Sequence, residues 1–459
     1  MKSYLNQAPP HHLSGLERTF GCLVCRALDG SMGRSSSLDR DPCVGDTSAR
    51  RRHSVVDRWG TFQSVAPSDA IPALITDSDR LDSLCDELSG EEYYAVDTEF
   101  HTERTYWPAL ALIQLAWRDQ VALVDPLAVD PTPLRRIFEG PGTVVAHAAG
   151  QDLDILRRSC GAAPVRVFDT QVAAGFLGMS SPSLARLVDI VLGISLAKAD
   201  QLSDWLHRPL PATQLAYAAG DVEYLLALRS TMVDSLEQRG RLTWALEECA
   251  LGSSGQRRVV VPEEAWWKVG DVRRLTGRSR GVAQEVTAWR ERRAAEVDRP
   301  RRSVLSDLAI LTIAQRPPHN RQELERLRGV DSRCLAKGGA SEILEAVERG
   351  RSLDQSKLRL PPEAAEQKAS QVALAVCAGL VRQIADQLDF DQGLLATRSD
   401  IALLVVGEPS RLDHGWRADI AGAPIRRLLA GEVAAAFDAS GQLVLEARSP
   451  AQGGPTPIA

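Results

Sequence analysis

At 459 residues the chain exceeds one ordinary domain and predicts about two to four. Hydrophobic residues make up 44% and charged residues 25%, so cores can form in water, and a formal net charge of −6 excludes an all-over basic coat; any footprint for nucleic acid must be local. No apolar run approaches a membrane span, residues 21–27 are too short and too broken by Arg26 for a signal peptide, and the 8 cysteines are spread as ordinary thiols, so a cytoplasmic protein without membrane contact is expected.

Residues 1–65 lack sustained periodicity and hold Pro9-Pro10, Ser35-Ser36-Ser37 and Arg50-Arg51-Arg52. They predict a disordered extension or an over-long start. Cys22 and Cys25 form a lone CxxC with no second pair to complete a zinc site. From 71 to 250 strand and helix patterns alternate. Strands are predicted over 93–98, 110–117 and 121–125, a helical turn at 134–138 and a buried strand at 143–146. Helices follow from 152 to 158, at 184–192 and at 212–229. This is an α/β pattern on a mixed sheet. After about 255 the strand signal fades. Short helices are predicted at 272–295, 304–314, 321–327 and 341–349, a small all-α domain over 265–350. A linker near 353–362 leads to a long helix at 363–388 and further helices to about 437, a second helical domain over 360–445 with a loose tail. Two echoes join the helical parts: Trp289-Arg290 with Trp416-Arg417, and Gly350 with Gly431.

The chemistry begins with Asp97-Thr98-Glu99 at the end of an apolar strand. Residues i and i+2 share a strand face, so two carboxylates stand side by side. Their repulsion is relieved by a hard divalent cation such as Mg²⁺ or Mn²⁺. A solvated strand end is the plainer alternative. His147-x4-Asp152 places a second acid at a helix start, where a simple cap also fits. Tyr217-x3-Asp221 puts a tyrosine and an acid on one helix face, which ordinary surface decoration also explains.

Taken in order, the strand-end Asp-x-Glu, the helix-start Asp and the helical Tyr-x3-Asp resemble the three motifs of the DEDD exonuclease superfamily in its tyrosine subclass. Arg104-Thr105-Tyr106-Trp107-Pro108, Leu112-Ile113-Gln114-Leu115, Phe168-Asp169-Thr170-Gln171 and Trp205-x2-Arg208-Pro209-Leu210 extend the likeness toward ribonuclease D. The resemblance implies a ribonuclease-H-like α/β fold and a hydrolysis, assisted by two divalent ions, Mg²⁺ or Mn²⁺, that releases nucleoside monophosphates from a free 3′ end. It implies Asp97 as bridging ligand, Glu99 and Asp221 completing the ion that activates water, Asp152 supporting the second ion, and Tyr217 orienting the water. His147 is expected to hydrogen-bond structurally and Asp169 to brace the following helix. Lys198 and Arg208 are candidate phosphate contacts. Phe100 and Leu112 fit either core or a wedge against terminal bases.

The stretch from 265 to 302 is locally basic, with Trp266, Trp267 and Trp289 among its arginines, a pattern suited to phosphate binding with base stacking. A solvated helix with Trp in the core is the alternative, favoured for Trp289. Trp289-Arg290-x-Arg292-Arg293, Arg299-Pro300-Arg301, Leu305-x-Asp307 and Gly329 resemble the helicase-and-ribonuclease-D C-terminal (HRDC) domain, and the segment around Gly415-Trp416-Arg417 resembles a diverged second copy. Arg290, Arg293 and Arg301 are the candidate nucleic-acid contacts there. The implied partner is RNA with a free 3′ end, precursor tRNA being the family's typical substrate. A DNA exonuclease and an inactive RNA-binding protein remain the rival readings. No Walker A motif occurs, so neither a helicase nor a nucleotide cofactor is expected. Sequence leaves the oligomeric state open.

Overall fold

The apolar strands between 73 and 169 fold into one mixed sheet. The structure, a computed structural model, describes residues 72–196, 204–254, 261–336, 338–361 and 363–448. The predicted extension 1–65, the Cys22–Cys25 pair and Lys198 lie outside them. The strands are β1 (Ala73–Ile75), β2 (Tyr93–His101), β3 (Ala109–Trp117), β4 (Gln120–Val124), β5 (Thr143–Ala146) and β6 (Val167–Asp169). Their order is β1-β4-β3-β2-β5-β6. β3 runs antiparallel to β2 and β4, and the remaining pairs are parallel. β2 outruns its predicted end at 98. A register shift between Glu99 and Phe100 lets pairing resume at Phe100–Leu110 and His101–Ala109, beyond the acidic pair.

Both faces of the sheet are covered, so β3 reads as a continuous apolar run rather than an alternation. Ile113, Leu115 and Trp117 face helix α1 (Ser78–Leu88) and helix α2 (Gly150–Ser159), packing with Leu81, Leu84, Leu88, Leu153 and Leu156. Leu112 faces the other way and packs with Leu123, Trp205, Leu210 and Ala218, the last on helix α3 (Ala212–Glu223). The helix predicted over 212–229 is two helices. Tyr224, with φ −98° and ψ −4°, ends α3 and opens α4 (Leu225–Gln238), and its ring is buried. Helix α5 (Leu242–Ser254) follows.

The first helical domain has a core of its own. Helix α6 (Arg278–Glu296) crosses α7 (Asp307–Gln315) and α8 (Gly339–Arg351), enclosing Trp266, Val286, Trp289, Ile310, Ile313, Ile343 and Val347. Two glycines let α6 and α8 touch backbone to backbone. A Cβ on Gly281 would stand 2.4 Å from the Gly350 carbonyl oxygen, and one on Gly350 2.4 Å from the Val282 Cα.

The C-terminal part holds α9 (Gln371–Gln387), α10 (Arg398–Val405) and α11 (Ala423–Leu429). It then departs from the all-helical expectation. β7 (Val433–Phe437) and β8 (Leu443–Ala447) pair as an antiparallel hairpin. The Ala-rich run Ala434-Ala435-Ala436 mimics a helix, but Asp438 closes a tight turn by accepting from the backbone N–H groups of Ser440 and Gln442. The glycine echo is also not a shared device: Gly350 lies inside a helix at a close crossing, while Gly431 follows a helix at φ +75°. Unlike the first helical domain, this part shares its core with the six-stranded sheet. Trp416 meets Phe176 at 5.2 Å and stacks on Trp244 at 5.4 Å between ring centroids. Among the described residues no helix is long and apolar enough to cross a membrane.

Candidate active site

Strand β2 carries Asp97 and Glu99 on the face covered by α3. This follows from their pairing with Gln114 and Leu112, since directly opposed residues in an antiparallel ladder share a face. Helix α3 brings Asp221 and, four residues earlier on the same side, Tyr217. Thr98 points to the opposite face, where α2 lies, and its hydroxyl donates to Asp152 in the first turn of that helix. The four predicted acids and the tyrosine thus converge at one end of the sheet, and all five are half-buried.

Burial first, then the neighbouring carboxylates, sets their charge. Asp97 is pushed well above the usual carboxylate range by burial and then by Asp152, Asp221 and Glu99. Glu99 is pushed up to about 8 by burial, with Asp221 and Asp152 adding to it. Burial raises Asp221 to about 7, against the pull of the Tyr217 hydroxyl within hydrogen-bonding reach. It raises Asp152 to about 6, against the hydrogen bond from Thr98. The Tyr217 hydroxyl is itself raised, by burial and then by Asp221 and Glu99. Among the described residues no three acidic, His or Cys side chains are closed into a ready-made metal cage. Mutual repulsion favours rotamers that hold the oxygens apart. The donor set nonetheless suits a hard divalent cation, being all oxygen and rich in mutually destabilised negative charge.

The supporting residues fall where expected. His147 Nδ1 lies 2.9 Å from the Thr170 hydroxyl and Nε2 3.1 Å from the Pro182 carbonyl oxygen. Burial lowers the His147 pKa. Asp169 caps the helix Thr170–Gly175 through the Gln171 N–H at 2.9 Å. It also accepts from the N–H groups of Ala148 and Ala149, at 3.0 and 2.9 Å, in the turn that leads to Asp152. Leu112 is fully buried and is therefore core rather than a wedge. Sequence reasoning missed Thr98, whose only signal was its place between the two acids, and the tilted ring contact of Trp205 with Tyr217, 6.1 Å between centroids.

Two expected phosphate contacts are corrected. Arg208 spends all five guanidinium N–H donors internally, on both Asp125 oxygens and the carbonyls of Trp205, His207 and Ala111, so it braces the loop before α3. The Arg290 side chain is only 5% exposed and donates to Asp307 at 2.6 Å and to the Leu305 carbonyl. It holds the helical core together and does not reach a surface. Trp289 is buried as expected, its indole N–H donating to Glu342 at 2.7 Å. Arg293 pairs with Glu296 at 2.9 Å, and Arg301 pairs with buried Glu291 at 2.6 Å.

Comparison with known proteins agrees with this geometry. Residues 72–237 match the 3′-5′ exonuclease family and residues 279–347 the HRDC domain family. A ribonuclease D of Gluconacetobacter diazotrophicus is 37% identical over 359 residues, 76% of this chain and 91% of that protein. The ribonuclease D of Acidiphilium cryptum is 34% identical over 378 residues, 81% of this chain and 96% of that protein. The crystal structure of Escherichia coli RNase D, an exoribonuclease involved in structured RNA processing, matches with a TM-score of 0.69 at 31% identity, over 78% of this chain and 99% of that one. The chain belongs to the ribonuclease D family and is a 3′→5′ exoribonuclease.

Proposed function

We propose that this exoribonuclease trims the 3′ tails of structured RNA, with precursor tRNA as its substrate class, releasing nucleoside monophosphates by a two-metal hydrolysis. The observation that carries the reading is the convergence of Asp97, Glu99, Asp152 and Asp221, each held above the ordinary carboxylate range. These four residues would hold two divalent ions, Mg²⁺ or Mn²⁺, which when bound supply an activated water and charge neutralisation at the scissile phosphate.

The protein's own groups do the positioning. Tyr217, its hydroxyl kept protonated, orients the attacking water while its ring packs beside Trp205. Asp221 fixes that hydroxyl from one helical turn away. Thr98 fixes the Asp152 carboxylate, and Asp169 fixes the turn from which Asp152 departs. The first helical domain serves as the RNA handle. Its exposed cations Arg273, Arg274, Arg299, Arg301 and Arg302, with the half-buried Arg293, support that reading. The structured-RNA substrate rests on likeness to the Escherichia coli enzyme.

The test is a time course on 5′-labelled tRNA precursor and on matched DNA, with Mg²⁺, Mn²⁺ or EDTA, beside Asp97→Ala. A metal-dependent ladder shortening the RNA from its 3′ end, lost in the variant, is expected. Faster digestion of the DNA, or full activity in Asp97→Ala, overturns the proposal.

A further inference from the structure

Gln114 stands in the middle of β3, directly across the antiparallel ladder from Asp97, with Leu123 of β4 on its other side. Its carboxamide therefore shares a face with Asp97, under α3, with Cβ atoms about 5 Å apart. The residue is 0% exposed, and neither Nε2 nor Oε1 has a hydrogen-bond partner. The other residues of β3 from Leu110 to Trp117 are buried and apolar. An unpaired buried carboxamide destabilises the fold where an apolar side chain of the same shape would not. Buried polar groups without partners call for an explanation, and one is in reach. A metal-bound carboxylate is commonly fixed by a hydrogen bond to its outer oxygen. Three other acids, Asp152, Asp221 and Glu99, stand close to the Asp97 carboxylate.

We propose that Gln114 is a positioning residue for the metal site, its Nε2–H donating to the Asp97 carboxylate when the cluster is ionised and loaded. The hydrogen bond selects one rotamer of Asp97 and draws off part of its negative charge. This rests on the reading of Asp97 as a metal ligand given above. It predicts a cost in metal affinity without a cost in folding. Removing the carboxamide deletes an unpaired polar group from the metal-free protein and a ligand-fixing donor from the loaded one.

The test titrates Mn²⁺ alone, without RNA, into the full-length protein and follows free Mn²⁺ by electron paramagnetic resonance. Wild type is compared with Asp97→Asn, Gln114→Met and Gln114→Asn. Gln114→Met is expected to melt at or above the wild-type temperature in EDTA and to bind Mn²⁺ about tenfold more weakly. Gln114→Asn keeps the amide but shortens its reach and is expected to lose affinity similarly. Should Gln114→Met fail to fold, Gln114→Asn carries the comparison. Wild-type affinity in either folded Gln114 variant, with affinity lost in Asp97→Asn, overturns the role of Gln114 alone. Wild-type affinity in Asp97→Asn overturns the ligand assignment, and the role of Gln114 falls with it.

Discussion

Four half-buried carboxylates are held together at one end of the sheet against their own repulsion, and this gives the metal-free protein a definite pH dependence. Folding lifts Glu99 from 4.5 to about 8 and Asp221 from 3.8 to about 7. Between those limits the folded state binds more protons than the unfolded one. Stability therefore falls as pH rises through the window, and the full penalty is present above the folded pKa values. In EDTA the protein should melt lower at pH 8.5 than at pH 6. Asp97→Asn should flatten that slope and melt higher than wild type at pH 8.5, while cleavage drops to background. Wild-type melting that rises with pH across this range would sink the account. The same protons must leave when metal binds, so the half-saturating Mg²⁺ concentration should climb by about tenfold or more from pH 8 to pH 6. A pH-independent Mg²⁺ requirement would show that these groups are not the ligands. Tyr217→Phe keeps the ring beside Trp205 and removes only the hydroxyl. It should lower kcat by about a hundredfold with KM little changed. A variant that lost affinity instead would place the hydroxyl on the substrate and not on the water.

Elements turn these side chains toward one another, and Asp169 is the joint where that is most exposed to test. It accepts from Ala148 and Ala149 in one turn and from Gln171 in the next. Asp169→Ala strands buried N–H donors and removes a cap, so it should cost about 2–3 kcal/mol in urea unfolding. A loss below about 0.5 kcal/mol would mean water replaces it freely. Much of this level was legible in the sequence. The motif spacing located the acid-bearing strand and both acid-bearing helices, because periods of 2 and 3.6 are written locally. What failed was non-local. The extension of β2 past Glu99 depends on a bulge and on pairing with β3. The break at Tyr224 depends on where its ring finds core. The hairpin Val433–Phe437 with Leu443–Ala447 overrides a locally helical alanine run. Arg208 and Arg290 look like phosphate ligands by residue type alone. Only their partners, Asp125 across the sheet and Asp307 in the next helix, reveal them as braces.

At the scale of the molecule the two helical parts join the exonuclease in different ways. The C-terminal one shares its core, through Trp416, Phe390 and Phe176, and through a bond from the Asp391 N–H to the Gly175 carbonyl at 2.9 Å. Deleting it would strip the back of the catalytic domain, so truncation cannot isolate a binding role. The first helical domain keeps its own core and docks on the loop between β2 and β3, next to the strand that carries Asp97 and Glu99. The Asp298 carboxylate accepts from the Tyr106 and Trp107 N–H groups at 3.0 Å each. The Tyr106 hydroxyl donates to Glu291 at 3.1 Å, and the Trp107 indole donates to the Ala295 carbonyl at 3.3 Å. Trp107 in turn lies under Arg158, at the far end of the helix that Asp152 opens. If the first helical domain is the RNA handle proposed above, this clamp sets where the held RNA meets the cleft. Asp298→Ala combined with Tyr106→Phe removes three of its hydrogen bonds while leaving both cores intact. At about 1 kcal/mol net for such bonds, docking should loosen by about tenfold or more. KM for structured RNA should rise accordingly, while kcat and KM for a short oligonucleotide, which needs only the metal site, stay at wild-type values. Equal losses on both substrates would mean that the loop tunes the strand carrying Asp97 and Glu99, and that the clamp serves the chemistry in place of the grip.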